Sequence, residues 1–543
     1  MATAGTNAFS GMRPKTASHL LGDENATYCR DVELIDGYLR PLRGGTFHKA
    51  FPTSYNTIYK WEDEDKWLTF TGRAHVARSI NPAIDRVYYT SSAASAPKVG
   101  NVGDAPGMVF EGSGPYPNTV FNLGVIKPLN PPLIRVVVAE PDAERDYTVL
   151  DLETRYYVFT QVNEWGEESA ASPVSGRIDC YDDAHIEVTL AATPGAGYVP
   201  LASVRIYRTN TGTQTTDFQF VTELSLAQAL VPFVDSTASS GLAEVAETLL
   251  WEPPPVDLAY LTSVGNEFFV GASGREVCFS EVRVPYAWPL AYRFPMEDPI
   301  VGLASNGVDT VVLTRGRPVV FSGNSPLSMQ MVRIADYQPC VSEHSIVTMD
   351  GQVIYASPDG LIGVSSSMGF SNLTEGMFTR EQWAALDPAS MRITVWERVL
   401  LISSDAGGFI FDLARQAYTP ATAAFRAAYY DGYTDTLFLL DKDTGTQIQS
   451  FATSASFFTY EWRSKKYLLP DRGYASGRVN ALSYNDVWFS LEIDDFVVMR
   501  RRVHNARPFR LPAHRGRRAH ITLEGTDIVR SVSVATSQGE LYL

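Results

Sequence analysis

Residues 345–365, SIVTMDGQVIYASPDGLIGVS, decide the fold of this chain, because they follow the pattern strand, turn, strand, turn, strand. The second turn, ASPDGL at 356–361, predicts a hairpin, since Pro, Asp and Gly favour tight turns. The same pattern recurs in stretches whose starts lie 34 to 48 residues apart. The other stretches are 261–282, 299–323, 393–413 and 427–451.

A repeat of about 40 to 50 residues is typical of the blades of a β-propeller. Each predicted unit is too thin to bury its own face, so the units have to stack around an axis and share a core. A further unit lies earlier in the chain, at 69–92. The sequence therefore predicts a mainly β chain with a propeller-like domain that closes with an N-terminal blade.

Residues between two proline-rich linkers, KPLNPPL at 127–133 and WEPPPVDL at 251–258, have a different rhythm. Short alternating strands such as YYVFTQV at 156–162 are typical of a small β-sandwich. We therefore expect a sandwich inserted at 128–250 between propeller segments. The other predicted domains are an N-terminal platform segment with the first blade at 1–127, propeller blades at 251–470, and a C-terminal β segment at 471–543 that completes the platform or propeller.

The strand YYVFTQV runs into an acidic corner, NEWGEES at 163–169. Gly166 allows the chain to turn back, and we expect Glu167 and Glu168 to remain in solvent. The corner resembles a turn of fibronectin type III and related immunoglobulin-like sandwiches, which supports a sandwich and implies no particular ligand. Trp165 is a candidate anchor for a neighbouring subunit.

The chain has 543 residues, of which 45% are hydrophobic and 12% aromatic, and its formal net charge is −16. An acidic protein is not expected to coat nucleic acid, because neutralising phosphates requires a basic surface. The four cysteines are scattered along the sequence, and we expect free, buried thiols in a reducing cytosol. No stretch is apolar enough for a signal peptide or a membrane span, so synthesis in the cytoplasm is expected.

The sequence contains none of the common nucleotide-binding, hydrolase or zinc-protease signatures, so we expect no enzyme, no cofactor and no metal site. The eight histidines include no pair spaced four residues apart. DKDTG at 441–445 has the start of a calcium loop but lacks the glutamate that completes one. We expect a blade turn there, in which Asp and Gly form local hydrogen bonds.

One segment is strongly basic: RRRVHNARPFRLPAHRGRR, at 500–518, contains eight arginines and no acidic residue. The whole chain has a formal net charge of −16, so without these eight positive charges the remainder has a net charge of −24. One interpretation is nucleic-acid contact, with Phe509 stacking on a base. We prefer the other interpretation, a subunit or domain interface, because arginine binds carboxylates there better than lysine. The candidate interface residues are Trp165, Glu167, Glu168, Arg500, Arg501, Arg502, Arg515, Arg517 and Arg518.

Several stretches, taken in their order along the chain, resemble the tail nozzle proteins of short-tailed bacteriophages, the tail tubular protein B group. The resemblance spans nearly the whole chain. The stretches are MRPKTASHLLGDENATYCRDVELIDGYLRPLRG (12–44), DRVYYTSS (85–92), YVFTQVNEWGEESAAS (157–172), SVRIYRTNTGTQTTDFQFVTEL (203–224), FSEVRVPYAWPLAYRF (279–294), VVLTRGRPVVFSG (311–323), VIYASPDGLIGVS (353–365) and RPFRLPAHRGRRAHITLEG (507–525).

The resemblance implies a structural virion protein, made in the host cytoplasm, that forms a homohexameric ring below the portal and its adaptor protein. It implies that viral DNA leaves through the bore and that tail fibres or spikes dock outside. An acidic subunit suits such a bore, because it repels phosphate and lets DNA slide. The alternative is a glycan-binding or glycan-cleaving receptor-recognition propeller, and cleavage would need two carboxylates about 5 to 10 Å apart.

Overall fold

The computed structural model describes residues 3–34, 36–61, 65–81, 84–102, 108–110, 114–211, 216–265, 267–307, 309–365, 369–469 and 473–542. Nearly all of its regular structure is β-strand. Most strands form small sheets that follow chain order, as the blades of a propeller do. The chain is therefore mainly β and propeller-like, as the sequence predicts. Four residues of the predicted blade stretches lie outside the described residues: Pro82, Ala83, Asn266 and Val308.

The chain divides into two compact units. The first contains Met1–Thr71, Ala304–Val320 and Val332–Leu543, and the second contains Gly72–Leu303 and Phe321–Met331. These limits cut across the domain boundaries expected from the sequence, so those boundaries stay a prediction.

The first 122 residues supply the N-terminal blade and several strands that join later sheets. The strands are β1 (Thr3–Thr6), β2 (Ser10–Met12), β3 (Asn25–Ala26), β4 (Tyr28–Arg30), β5 (Val32–Glu33), β6 (Arg40–Pro41), β7 (Thr46–Ala50), β8 (Thr57–Trp61), β9 (Lys66–Phe70), β10 (Ala74–Arg78), β11 (Arg86–Ser91), β12 (Lys98–Asn101) and β13 (Phe121–Asn122). Strands β10 to β13 form a four-stranded antiparallel sheet in chain order. This sheet overlaps the stretch 69–92 for which an N-terminal blade is predicted, and we name it the N-terminal blade; its closure of a propeller stays a prediction.

The next region is a β-sandwich of the immunoglobulin or fibronectin kind. Its strands are β14 (Leu133–Val138), β15 (Glu153–Arg155), β16 (Tyr157–Asn163), β17 (Ile178–Cys180), β18 (His185–Thr189), β19 (Leu201–Thr211), β20 (Thr216–Ser225) and β21 (Phe233–Asp235). One sheet has the order β14, β18, β21 and another the order β16, β19, β20, with β15 and β17 paired separately. Phe159, Ile186 and Val204 pack in the core that these sheets share.

Strand β16 alternates as its sequence predicts, but both of its faces are covered. Tyr157 and Phe159 point into the sandwich core, whereas Val158 packs on the opposite side with Tyr207 and Ala246. All seven residues of the strand are buried. The strand is therefore covered on both faces, although it is the end strand of the sheet β16, β19, β20.

Three four-stranded sheets in chain order follow the sandwich. They are formed by β22 (Ala259–Val264), β23 (Phe268–Ser273), β24 (Glu276–Phe279) and β25 (Arg293–Pro295); by β26 (Ile300–Ser305), β27 (Thr310–Thr314), β28 (Val319–Ser322) and β29 (Gln330–Arg333); and by β30 (Val347–Met349), β31 (Gln352–Ser357), β32 (Gly360–Ser365) and β33 (Phe370–Asn372). Ser357 pairs with Gly360 where β31 turns into β32. The hairpin predicted at ASPDGL is thus confirmed.

The remaining strands complete two more blade-like sheets and a C-terminal pair of sheets. They are β34 (Arg392–Trp396), β35 (Val399–Ser404), β36 (Gly407–Asp412), β37 (Ala417–Ala421), β38 (Phe425–Asp431), β39 (Thr436–Asp441), β40 (Gln447–Ser450), β41 (Tyr460–Arg463), β42 (Tyr467–Leu468), β43 (Ser476–Ala481), β44 (Val487–Ile493), β45 (Phe496–Arg502), β46 (Phe509–Arg510), β47 (Arg518–Gly525) and β48 (Val529–Ala535).

N-terminal strands complete these later sheets. Strands β2 and β3 extend the sheet of β34 to β37, and β7 is the fourth strand beside β38, β39 and β40. In the C-terminal pair, one sheet has the order β4, β41, β47, β44, β45, with β42 paired to β47, and the other has the order β1, β48, β43, β46. Trp462, Phe489 and Val532 lie in one core with residues of both C-terminal sheets.

Helices are few and short among the described residues. The α-helices are α1 (Leu226–Ala229) and α2 (Arg380–Ala384), and the 3-10 helices are Val149–Asp151, Ser239–Gly241, Glu247–Leu250, Leu290–Tyr292, Pro326–Ser328, Glu343–Ser345, Pro388–Ser390 and Gly539–Tyr542. Thr379 caps α2 by accepting a hydrogen bond of 3.3 Å from the Gln382 amide. Within the described part of the chain, no helix has the length and apolar character needed to span a membrane.

Candidate functional site

The corner after β16 is held by one asparagine side chain. The Oδ1 atom of Asn163 accepts hydrogen bonds from the backbone N–H groups of Trp165, at 3.0 Å, and Glu167, at 2.9 Å. Gly166 has a φ of +77°, a conformation that glycine adopts without steric cost. The turn is therefore fixed by local chemistry, and the direction of the following acidic residues is fixed with it.

Glu167 and Trp165 both contact Arg86 at the start of β11. The Nη1 atom of Arg86 lies 2.6 Å from Oε1 of Glu167, and the guanidinium lies 4.0 Å from the centre of the Trp165 ring. The Trp165 ring also meets Phe121 edge-on at 5.7 Å. The corner thus attaches the sandwich to the N-terminal blade, because Arg86 and Phe121 belong to that blade.

Glu168 is buried on the face of β16 and β19 that lies opposite the sandwich core. Its Oε1 atom accepts hydrogen bonds from the hydroxyls of Thr160, at 2.6 Å, and Tyr207, at 2.8 Å. Its Oε2 atom lies 2.8 Å from Nη1 of Arg205. A buried carboxylate requires partners of this kind, because its desolvation is costly.

The prediction that Glu167 and Glu168 remain in solvent is wrong. Their relative exposures are 8% and 9%, and Trp165 is half-buried. Burial raises the pKa of Glu167, against the opposing effects of Arg86 and Asn163. Glu167 and Glu168 form ion pairs with Arg86 and Arg205, which lie on strands of the same compact unit. These arginines compensate the buried negative charges, so the acidic corner can lie in the interior. Their assignment as candidate interface residues stays a prediction.

The basic segment begins on the edge strand β45. Cross-strand pairing places Arg500 opposite Ser490 and Arg501 opposite Phe489, and neighbouring residues on a strand point to opposite faces. Arg501 lies on the face of the buried Phe489, with its guanidinium 4.5 Å from the centre of the Phe509 ring. Arg500 lies on the other face, so the arginine run is divided between the two faces of the sheet.

The arginines on the outer face have partners within their own chain. The Nη2 atom of Arg500 lies 2.6 Å from Oε2 of Glu524, and its guanidinium lies 5.1 Å from the centre of the Trp488 ring. Arg502 donates a hydrogen bond to the backbone carbonyl of Asn485. The side chains of Arg500 and Arg502 nevertheless remain exposed.

Arg515 and Arg517 lie in the loop before β47 and Arg518 is the first residue of that strand, and Asp494 anchors the backbone of this segment. The Asp494 carboxylate accepts hydrogen bonds of 3.0 to 3.1 Å from the amides of Arg517 and Arg518. The three arginine residues are exposed. The loop therefore keeps its shape through backbone contacts and presents the three guanidinium groups to solvent.

The loop 441–445 forms the predicted blade turn. Asp441 accepts hydrogen bonds of 2.7 to 2.9 Å from the backbone N–H groups of Thr444, Thr446 and Gln447. Burial raises the pKa of Asp441, but these hydrogen bonds outweigh that effect and hold the pKa at about 2. The interpretation as a turn with local hydrogen bonding is confirmed. In the described ranges, no group of three or more His, Cys, Asp or Glu side chains could hold a metal ion.

The four cysteines are free and buried, as predicted. Burial raises the pKa of the thiols of Cys29 and Cys340 to about 12 and that of Cys278 to about 11. Burial also raises the pKa of the Cys180 thiol. Such thiols are inert at neutral pH, because the thiolate is the reactive form.

Two groups of residues with a possible functional role were not predicted from the sequence: Arg86, and the pair Phe496 and Val497. Arg86 is the one charged residue of an otherwise uncharged, largely buried strand, RVYYTS, and that contrast is the signal that points to a buried partner. Phe496 and Val497 are exposed apolar residues at the start of β45. In the sequence, the feature that could have indicated them is an apolar pair directly after two aspartates, Asp494 and Asp495. In the structure, these aspartates form a turn and the pair begins the edge strand of a sheet.

Comparisons with known proteins leave the family of this chain open. No protein-family model matches it, and a search of curated proteins found no match. Among solved structures it is similar to Hsv2 of Kluyvelomyces marxianus, with 9% identity, a TM-score of 0.20, and coverage of 59% of this chain and 95% of that one.

Two further structures are similar at the same level. The dihydro-heme d1 dehydrogenase NirN has 9% identity, a TM-score of 0.24, and coverage of 71% of this chain and 79% of its own. A family 43 arabinoxylan arabinofuranohydrolase of Bacillus subtilis has 10% identity, a TM-score of 0.18, and coverage of 65% and 93%. Scores this low carry no argument about function, and the fold class is read from the sheet topology.

Proposed function

We propose that this protein is a structural subunit of the tail nozzle of a short-tailed bacteriophage. The observation that carries the proposal is the exposed arginine segment on the edge of a C-terminal sheet, in a chain whose formal net charge is −16. The order of sequence stretches that resembles the tail tubular protein B group supports it. In this role the chain acts as a building block and performs no catalysis.

A ring of identical subunits needs two different, complementary surfaces on each subunit. An edge strand offers unpaired backbone groups to a neighbour, and exposed arginines offer planar donors for carboxylates. Strand β45 combines both features, and the remaining −24 of charge supplies acidic partners. The chain therefore has two kinds of surface that suit heterologous contacts between copies, and the resemblance implies that six copies form the ring.

The same charge balance suits a conduit for DNA. A wall that carries net negative charge repels phosphates, so a passing duplex is not held. The protein in this role belongs to the virion after synthesis in the host cytoplasm. Its partners are copies of itself, the tail adaptor above, and tail fibres or spikes outside.

Antibody labelling of virus particles tests this role. Gold-labelled antibodies raised against the purified chain are expected to mark the distal end of the tail in particles of the virus that encodes it. Pre-incubation of the antibodies with the chain is the control and should abolish the label. Absence of label on intact particles would overturn the proposal. Sustained release of reducing sugar from host surface polysaccharide by the purified chain would support the glycan-cleaving alternative instead.

A further inference from the structure

The first of two unpartnered surfaces is the basic edge, defined as strand β45 together with Arg515, Arg517 and Arg518. Strand β45 is the outermost strand of its sheet. Phe496 is 75% exposed and Val497 is 62% exposed at its start. An exposed apolar pair on a sheet edge is a docking feature, because such edges are otherwise protected.

The charges and the apolar pair of the basic edge lie at the same end of the strand. Asp494 and Asp495 both have positive φ and form the tight turn that leads into Phe496. Asp494 also holds the backbone amides of Arg517 and Arg518. The fold therefore places an exposed phenyl ring and exposed guanidinium groups around one hairpin turn.

The second surface is the acidic edge of the sandwich, defined as strand β14 and the following residues up to 152. Strand β14 is the outermost strand of its sheet. This segment has seven exposed apolar side chains: Leu133, Val136, Val137, Val138, Val149, Leu150 and Leu152. It has five exposed carboxylates, Glu140, Asp142, Glu144, Asp146 and Asp151, and two exposed arginines, Arg135 and Arg145. The two arginines form ion pairs with Glu187 and Asp183, which lie outside the segment, so the segment itself is acidic. Leu150, at 95% exposure, contacts almost nothing of its own chain.

We propose that the basic edge of one copy of this chain binds the acidic edge of the next copy. The charges are complementary, and each surface carries exposed apolar residues that association would remove from water. The two surfaces differ, so the contact is heterologous and each copy can bind a neighbour on either side. The inference deepens the proposed function and rests on it, because it names the surfaces through which ring subunits meet.

Exposed residues without side-chain bonds make the contact testable without disturbing the fold. Glu140, Glu144 and Asp146 are exposed, as are Arg515, Arg517 and Arg518. Opposite charges at the rim of an interface chiefly guide association and exclude wrong partners. Like charges brought together at the same place oppose association. Reversal of charge on one edge should therefore abolish binding, and reversal on both should restore it between two variants.

The experiment uses two triple variants of the full chain. One is Arg515→Glu, Arg517→Glu, Arg518→Glu, and the other is Glu140→Lys, Glu144→Lys, Asp146→Lys. Sedimentation velocity over a range of concentrations is expected to show association for the unmodified chain and at least tenfold weaker association for each variant alone. An equimolar mixture of the two variants should associate again, because only unlike variants then present opposite charges to each other.

A matched control changes the same number of charges elsewhere. Arg283, Arg380 and Arg398 are exposed, and their replacement by Glu should leave association unchanged. The neutral set Arg515→Gln, Arg517→Gln, Arg518→Gln should weaken association without reversing it, and circular dichroism should match the unmodified chain for every variant.

Three results would overturn the inference: no association of the unmodified chain, variants that associate like it, or a mixture that does not recover. Antibody label at the tail tip together with either of the last two results would leave the proposed function standing and move the subunit contact elsewhere, whereas no association of the unmodified chain would also contradict the ring. Loss of the label would instead refute the function itself.

Discussion

The Nη1 atom of Arg86 lies 2.6 Å from Oε1 of Glu167, and both side chains are about nine-tenths buried. The pair joins a blade strand to a turn of the inserted sandwich. The ring of Trp165 covers the guanidinium at 4.0 Å, which further shields the pair from water. The link between blade and sandwich is therefore an ion pair in a largely apolar setting.

Replacement of Arg86 by Met should destabilise the protein by about 3 to 5 kcal/mol, because Glu167 is left buried without its charged partner. Urea unfolding followed by tryptophan fluorescence measures the loss. The control is Arg283→Met, which removes an exposed partner of Glu267 and should cost less than about 1 kcal/mol. Equal losses for the two variants would contradict this account of the corner.

Asp441 should make stability depend on acid pH. Its pKa of about 2 in the folded chain lies below its ordinary value of 3.8. A lowered pKa stabilises the fold above about pH 4, and this contribution is lost as the pH falls towards 2. Asp441→Asn should therefore reduce the free energy of unfolding above pH 4 and have little effect near pH 2. Asp443→Asn, in the same turn but exposed, is the control and should change the free energy of unfolding by less than about 0.5 kcal/mol. A deficit for Asp441→Asn that does not vary with pH would refute the assignment.

Truncation of an arginine should have different effects on β45 and in the loop that precedes β47. Arg501→Ala removes a guanidinium stacked on Phe509 and should cost about 1 kcal/mol. Arg517→Ala removes an exposed side chain and should change stability by less than about 0.5 kcal/mol. Thermal and urea unfolding of both variants give the comparison. A larger loss for Arg517→Ala than for Arg501→Ala would contradict the positions described for these two side chains.

The four thiols should be unreactive in the folded protein. Ellman's reagent is expected to modify no cysteine under native conditions and all four in denaturant, because each thiol is buried. Rapid modification of Cys29 or Cys340 in the native chain would contradict the packing described for them.

The blade pattern was predictable because it is local. In each unit the hairpins connect neighbouring residues, and the turn at 356–361 carries its own Pro, Asp and Gly. The fourth strand of the sheet formed by β38, β39 and β40 was not predictable, because it is β7, about 400 residues earlier. Nothing in Thr46–Ala50 indicates which sheet it joins.

The acidic corner shows a second limit of sequence reasoning. Glu167 and Glu168 follow a glycine turn and resemble solvent-exposed residues in the sequence. Their burial depends on Arg86 and Arg205, which lie 81 and 37 residues away. Charge alone predicts a surface position, and only the tertiary partners reverse that expectation.

The molar mass of the purified chain in solution tests the central claim, a ring of identical subunits, most directly. Multi-angle light scattering at increasing concentration is expected to give a species of six times 59.8 kDa, and micrographs of that species should show a ring with a central channel. A constant mass of 59.8 kDa up to the highest attainable concentration would contradict the claim.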